Sequence, residues 1–400
     1  MRVLAVNQFY LPDHSATAQL LGELCEDLAT AGHEVDVIAS RGTYLGGQRL
    51  PRAETRGGVV VRRTFSTSLG KKSIAHRLAD YATFWSSAIF RAMVSRKPNV
   101  VLALTTPPMI ALGMAQVARA RSVPLVTWNQ DVYPETAAEL GVLSRSGTAY
   151  RTLQRMARRT HQLATRVIAL SQGMADRLLE EGAGADKVRV IPNWADGRLI
   201  RPLSPSENPF RRKNGFEERF LVMYSGNIGA GHDVETLLGA AAILARTLPE
   251  ALLVFVGDGA RRHQAERLAE GAANVRFLPY QPKAELAASL SAADVHLVSL
   301  RAGLEGLLVP SKLYGILASG RPVCYIGPPT CEGAKVVRDN DLGWEGRNGD
   351  EAGLAQAVAK LAKDGIRWDS ICRRARAVFE AHYDRPICVG RWLDTLTEVL

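Results

Sequence analysis

The chain has 400 residues, of which 46% are hydrophobic and 22% charged, and it carries a formal net charge of +10. That length exceeds what one hydrophobic core usually supports, so two domains are expected, and the composition excludes a disordered chain. The charge is unevenly placed, with 25 Lys+Arg against 16 Asp+Glu in residues 1–200 and 25 against 24 in residues 201–400, so only the first half is suited to meet a polyanion.

The N-terminus MRVLAVNQFYLPDH turns polar too soon for a signal peptide, and Val3–Val6 reads as a first strand. A helical period follows from Ala18 to Thr30, stopped at Gly32, and Glu34–Ala39 is the next strand. Lys71 to Lys97 predicts a helix with basic ends (Lys71, Lys72, Arg96, Lys97) and Ile74, Leu78, Tyr81, Trp85, Ile89 and Met93 at roughly helical spacing. Such a stripe covers a sheet or lies in a headgroup layer. Val100–Leu104, Pro124–Trp128, Arg166–Leu170 and Val188–Ile191 are further strands. Short apolar strands separated by helices indicate a parallel sheet covered on both faces.

Gly197–Phe220, rich in Pro, Arg and Gly, reads as the connection between domains, giving an N-terminal domain over 1–200 and a second over 201–385. The pattern then restarts, with strands at Phe220–Tyr224, Leu252–Val256, Val275–Leu278, Val295–Ser299 and Val323–Ile326, and helices at Asp233–Thr247 and Arg261–Glu270. The amphipathic segment 386–400 is expected to cross back and complete the first domain. Two open α/β sheets side by side would leave a cleft at their strand C-termini, where ligands of such sheets bind. No apolar run of about 18 residues is present to span a membrane. The five cysteines form no Cys-x-x-Cys pair, which fits reduced thiols in a cytosolic chain. No His, Cys and Asp cluster has metal-ligand spacing.

The unusual residues follow strands. Asp13, His14 and Thr17 lead into the first helix; Gly226, Asn227, Gly229 and His232 follow Tyr224; Gly257, Asp258 and Arg262 follow Val256. Glu305, Gly306, Leu307, Ser311 and Lys312 precede the helical pattern that stops at Ser-Gly-Arg-Pro. Glycine turns let backbone N–H groups approach an anion, and a lysine at a helix start is disfavoured unless an anion offsets it. A diphosphate site in the second domain is the expectation.

The segments NQFYLPDHSATAQLLGELCEDLATAGHEV, WNQDVYPETAAELGVL, VIPNWAD, YSGNIGAGHDVETLL, FVGDGARR and VPSKLYGILASGRPV, in this order, resemble those of glycosyltransferase family 4. These are retaining, nucleotide-sugar-dependent enzymes of the two-Rossmann-domain GT-B fold. The resemblance is nearest to bacterial fucosyl- and N-acetylfucosaminyl-type transferases that build polysaccharide repeat units on a lipid carrier. It implies α/β domains, a nucleotide-diphosphate-sugar donor (a UDP-sugar), and a lipid-linked or saccharide acceptor. It also implies no cofactor, catalysis without a bound metal, and a cytoplasmic enzyme peripheral to the inner membrane face. Together with the glycine turns and loop residues above, it gives Gly226, Asn227, Gly229, His232, Gly257, Asp258, Arg262, Tyr280, Gln281, Gly306, Leu307, Ser311 and Lys312 to the donor, Asp13, His14 and Thr17 to the acceptor, and Gln130 and Asp131 to catalysis, with Glu305 added as a substitute carboxylate the family pattern does not itself place.

The departures from the family are specific. Its two glutamates fall on Leu307 and Gly315, its Arg/Lys pair falls near Asn227 and His232, and Gln130-Asp131 stands for its His-Asp. Glu305 is then the carboxylate left to replace the first glutamate. Each residue also has a plainer reading: His232 packs at a helix start, Glu305 is a solvated loop acid, and Asp131 caps a helix beginning at Tyr133. Likewise Tyr280-Gln281 makes a turn, and Asp13 and His14 are loop polars. Rival functions are a nucleotide-sugar 2-epimerase and a nucleotide-binding scaffold descended from a transferase. Nucleic acid is not expected as a partner, since no reader motif accompanies the basic excess.

Overall fold

The computed structural model describes residues 1–43, 49–67 and 74–400, so Lys71 and Lys72 lie outside the described residues. Contacts divide the chain into unit 1, residues 1–192, 306–308 and 389–400, and unit 2, residues 193–305 and 309–388.

Unit 1 contains β1 (Arg2–Val6), β2 (Glu34–Ser40), β3 (Ala53–Arg56), β4 (Val59–Thr64), β5 (Val100–Ala103), β6 (Leu125–Trp128), β7 (Arg166–Ala169) and β8 (Val188–Val190). They form one sheet in the order β3-β4-β2-β1-β5-β6-β7-β8, parallel except for β3, which runs antiparallel to β4. Every residue of β1, β5 and β6 is buried, which requires cover on both faces. In register, Val3 of β1 lies between Val35 and Val100, so the strand order reverses at β1. The helices include Ala16–Thr30, two residues longer at its start than the sequence period indicates, and Ile74–Val94. The last helix, Arg385–Thr397, supplies Trp392, whose ring centre is 4.7 Å from that of Trp128, and beyond it Glu398 pairs with Arg166 and Arg189 at 3.6 and 3.7 Å.

Unit 2 contains β9 (Phe220–Ser225), β10 (Ala251–Val256), β11 (Val275–Leu278), β12 (Val295–Ser299), β13 (Val323–Ile326) and β14 (Gly343–Gly346). They form a parallel sheet in the order β11-β10-β9-β12-β13-β14, reversing at β9. The period of two along β9 and β10 divides the core. Val222, Tyr224, Leu253 and Phe255 pack on one face, and Leu221, Met223, Leu252 and Val254 on the other. The second face is covered partly by Phe210 and Phe216, on and just after the short helix Pro209–Asn214. The stretch read from sequence as a connection therefore belongs to unit 2, whose first residue is Asn193. Arg376 fixes it by donating to the carbonyls of Ile200 (2.9 Å), Ala318 (2.6 Å) and Gly197 (3.2 Å).

Candidate active site

A parallel sheet offers a ligand site where its strand order reverses, because the loops leaving the two central strands diverge there. In unit 2 these are the loops after β9 and β12. His232 Nδ1 lies 2.6 Å from the carbonyl oxygen of Ser299 and so donates to it, leaving Nε2 as an acceptor. Burial, with Lys312 nearby, lowers the His232 pKa to about 3, so the ring is neutral. Asp233 caps the helix Val234–Thr247 through Thr236, while Asn348 donates to Asp233 (2.8 Å) and to the Leu300 carbonyl (3.1 Å).

Gly226 has φ 124° and Gly257 φ 141°, and a Cβ on Gly257 would collide with the Gly226 carbonyl oxygen. Neither turn admits a side chain, which brings their backbones together. Ile228 N–H donates to Asp258 O at 2.8 Å, the Tyr224 hydroxyl donates to Asn227 O at 2.9 Å, and the Tyr280 hydroxyl to Asp258 O at 3.3 Å. Gln281 donates instead to the nearby Pro279 carbonyl at 2.8 Å, and Asp258 accepts from Gly259 N–H at 2.7 Å.

Lys312 begins the helix Lys312–Ala318, with Ser311 before it making no side-chain cap. Its ammonium lies 3.3 Å from the centre of the Tyr224 ring, and its Cε would be 3.7 Å from a Cβ on Gly226. Nζ is buried with no hydrogen-bond partner, and burial holds its pKa well below that of an ordinary lysine. Ser225 Oγ, beside Gly226, is also buried and unpartnered. A ring face attracts a cation but does not replace its hydration, so this arrangement is suited to an incoming anion.

The other expected cation is committed elsewhere. Arg262 donates to the carbonyls of Gly257 (2.5 Å) and Leu278 (3.3 Å) and to Glu266 (2.8 Å), so it locks the second turn. Arg261, which the sequence reading passed over, donates to the His232 carbonyl at 2.5 Å and pairs with Glu235. Glu305 is half-buried in unit 2, close enough that its charge helps raise the pKa values of Tyr325 and Cys331. Gly306 and Leu307 group with unit 1, not with the glycine turns: the Leu307 carbonyl accepts from Val132 N–H at 2.8 Å. Gly315 faces Leu290, with 3.2 Å from its would-be Cβ to the Leu290 Cδ1.

Unit 1 reverses between β1 and β5, and unpartnered buried atoms gather there: Asn7 Oδ1, Gln8 Oε1 and Thr105 Oγ1. The Gln8 N–H donates to Thr106 O at 2.8 Å, tying the two loops together. The sequence shows Asn7 and Gln8 directly after the first strand, but their missing partners appear only in the fold. Asp13 is buried and accepts from Ser15 N–H at 2.8 Å, His14 is exposed, and Thr17 is half-buried.

At the end of β6, Gln130 is buried and Asp131 is exposed, bridged through its backbone to Leu308. The protein around Asp131 removes enough hydration to push its carboxyl up to about 6. Asp131 caps no helix: the helix begins at Glu135, after Pro134, and has no side-chain cap. Among the described residues, no group of three His, Cys, Asp or Glu could hold a metal ion.

Two family models match the chain: a glycosyl transferase 4-like domain over residues 16–194, and glycosyl transferases group 1 over residues 206–378. The chain belongs to glycosyltransferase family 4. Its relatives include the probable glycosyltransferase WbjE of Pseudomonas aeruginosa, 26% identical over 74% of each chain. Another is the putative colanic acid biosynthesis glycosyl transferase WcaI of Escherichia coli, 28% identical over 80% of this chain and 82% of that one. The fold of the transferase is GT-B. It matches HepE of Anabaena in complex with UDP and glucose at TM-score 0.75, 17% identity and 100% coverage of both chains. It also matches sucrose-phosphate synthase of Thermosynechococcus elongatus at TM-score 0.79 and 17% identity, over 100% of this transferase and 98% of that chain.

Proposed function

We propose that this transferase moves a sugar, with retention, from a UDP-sugar to a lipid-linked or saccharide acceptor in the assembly of a bacterial surface polysaccharide. The observation that carries this reading is the unpartnered ammonium of Lys312 beside the Gly226 and Gly257 turns. A diphosphate would satisfy it, and Tyr280 is positioned beside the same turn to meet a nucleobase. Supporting the donor class, HepE has been solved with UDP-glucose, and WcaI is named for colanic acid biosynthesis. The resemblance to fucosyl-type enzymes makes an N-acetylfucosamine-type donor a natural member of the test panel.

In the proposed step the bond from the anomeric carbon to the phosphate oxygen breaks, and its electron pair leaves with the diphosphate. The acceptor oxygen bonds to the same face of that carbon, and its proton passes to the departing phosphate. Lys312 opposes the charge that grows on the leaving group, whereas the Gly226 and Gly257 N–H groups are already committed to the Val256 and Leu278 carbonyls. Glu305 faces the transiently cationic sugar, and Asn7, Gln8 and Thr105 accept hydrogen bonds from acceptor hydroxyls. No bound metal is needed, so turnover is expected to be unchanged by a chelator. The basic first half holds the enzyme against an anionic membrane face at the cytoplasmic side. No helix among the described residues is long and apolar enough to cross one.

A nucleotide-sugar panel incubated with membrane extracts, with mass detection of a lengthened lipid product, tests the reading. Donor turnover without any acceptor would replace it with an epimerase, and tight UDP binding without transfer would replace it with a scaffold.

A further inference from the structure

Unit 1 has a cavity of about 400 Å³ away from the residues assigned above, lined by Arg52, Arg62, Arg63, Phe65, Phe90 and Arg91 among others. It lies between the β3–β4 edge and the helix Ile74–Val94. Two of its four guanidiniums are neutralised: Arg63 pairs with Glu54 at 2.6 Å and Arg62 with Asp36 at 3.4 Å. The Arg52 and Arg91 guanidiniums have no ion-pair or hydrogen-bond partner among the described residues, although the Arg52 carbonyl accepts from Arg63 N–H at 2.7 Å. The Arg63 side chain is buried, and its Nε has no acceptor. The cavity therefore carries an uncompensated positive charge and an unused buried donor in its wall.

Its rim is apolar. Phe65 is 60% exposed and Phe90 69%, and Met93 and Val94, one turn after Phe90, are exposed on the same side of the helix. The expected stripe is thus divided. Phe84, Ala88 and Ala92 face the sheet, Trp85 donates to the Met109 carbonyl at 3.1 Å, and Ile89 packs on Gly113. Among the stripe residues whose side chains are described, Leu78 and Met93 are exposed. The rim is held in place, since Ser87 Oγ donates to the Phe65 carbonyl at 2.7 Å. Exposed rings beside unpaired arginines match an amphiphile whose anionic group enters the cavity while its apolar part stays at the mouth.

We propose that this cavity takes the phosphate of an anionic membrane lipid, with Arg52 and Arg91 as its cations and Phe65 and Phe90 at the acyl boundary. The proposal deepens the surface-association part of the proposed function and rests on it, but it is independent of the donor and the reaction.

The test is flotation of the full chain with phosphatidylglycerol-containing vesicles and with pure phosphatidylcholine vesicles. The wild type is expected to float with the first and not with the second. R52S/R91S should lower recovery by roughly tenfold or more at moderate salt, as expected for two cations at an anionic surface. F65S/F90S should lower it several-fold; Arg52, Phe65 and Phe90 are exposed and Arg91 half-buried, and both variants should keep the wild-type unfolding midpoint. Recovery of R52S/R91S at the wild-type level overturns the cavity. If R96S/K97S loses binding in that case, association with the surface survives without it. Failure of the wild type to float with anionic vesicles overturns both. Competition by soluble glycerol phosphate at equal phosphate concentration overturns the lipid assignment.

Discussion

Lys312 Nζ lies 3.3 Å from the centre of the Tyr224 ring, and no described residue accepts a hydrogen bond from it. An unpaired buried ammonium is costly, so this pair is a destabilised arrangement that a ligand would relieve. Lys312→Met keeps the apolar stem and removes the charge. It should weaken UDP binding by about 1.5–3 kcal/mol, the scale of a charge-assisted hydrogen bond. The same change should raise unfolding stability by about 1 kcal/mol. Calorimetry and denaturant unfolding on one variant check both signs, and unchanged affinity in a folded variant would exclude Lys312 from the donor site.

The same residue should link binding to protons. Its pKa is depressed in the free protein, and a diphosphate contact would raise it, so binding takes up a proton. UDP affinity should therefore fall as pH rises above the free-state pKa, by up to about tenfold per unit. For stability the sign is opposite: between the folded pKa and the higher unfolded value, unfolding takes up a proton. Stability then rises with pH across that window. Titrations in buffers of differing ionisation enthalpy detect the proton, and Lys312→Met should abolish it.

Glu305→Gln tests the proposal that this carboxylate replaces the family's missing glutamate. A charge that meets a transient cation acts on turnover more than on ground-state binding. The maximal rate should fall by roughly tenfold or more, about 1.4 kcal/mol of barrier, with UDP affinity little changed. A near-normal rate would return Glu305 to the status of a loop acid.

Asp131, with its carboxyl pushed up to about 6, should give kcat/KM an acid limb near that pH as the carboxylate is lost. Asp131→Asn should show a flat profile there. Because its folded pKa lies above the unfolded value, the folded state retains a proton between about 4 and 6 that the unfolded chain releases. The stability that this proton contributes is full below the unfolded pKa and is lost as pH rises through 6, so the variant should gain stability at neutral pH relative to wild type. A limb that persists in the variant would assign it to another group.

The sequence exposed the parallel sheets because strands buried on both faces are continuous apolar runs, as in VVLA and ALLVFV. It did not expose β3, AETR, which has no apolar periodicity and exists only through pairing with β4. In β4, VVVRRT, the buried inward set of Val59, Val61 and Arg63 includes an arginine, which disguises the alternation. β14, GWEG, is an edge strand held by its register with β13. At the site, glycine turns were legible because only a residue without a side chain fits there. Which cation stays available was not, since Arg262 is occupied by carbonyls that sequence cannot place beside it. The Lys312–Tyr224 contact joins residues 88 positions apart, beyond the reach of any local period.

The packing of Trp392 on Trp128 has a consequence for synthesis. Residues 389–400 belong to unit 1, yet the ribosome makes them only after all of unit 2. While residues 193–388 emerge, the nascent first sheet holds Trp128 without its partner and Arg166 and Arg189 without Glu398. Unit 2 is complete before unit 1 can be, although unit 1 starts first. A growing chain therefore completes the first unit only after the second, and a stop between residues 388 and 392 spares unit 2 while leaving Trp128 without Trp392.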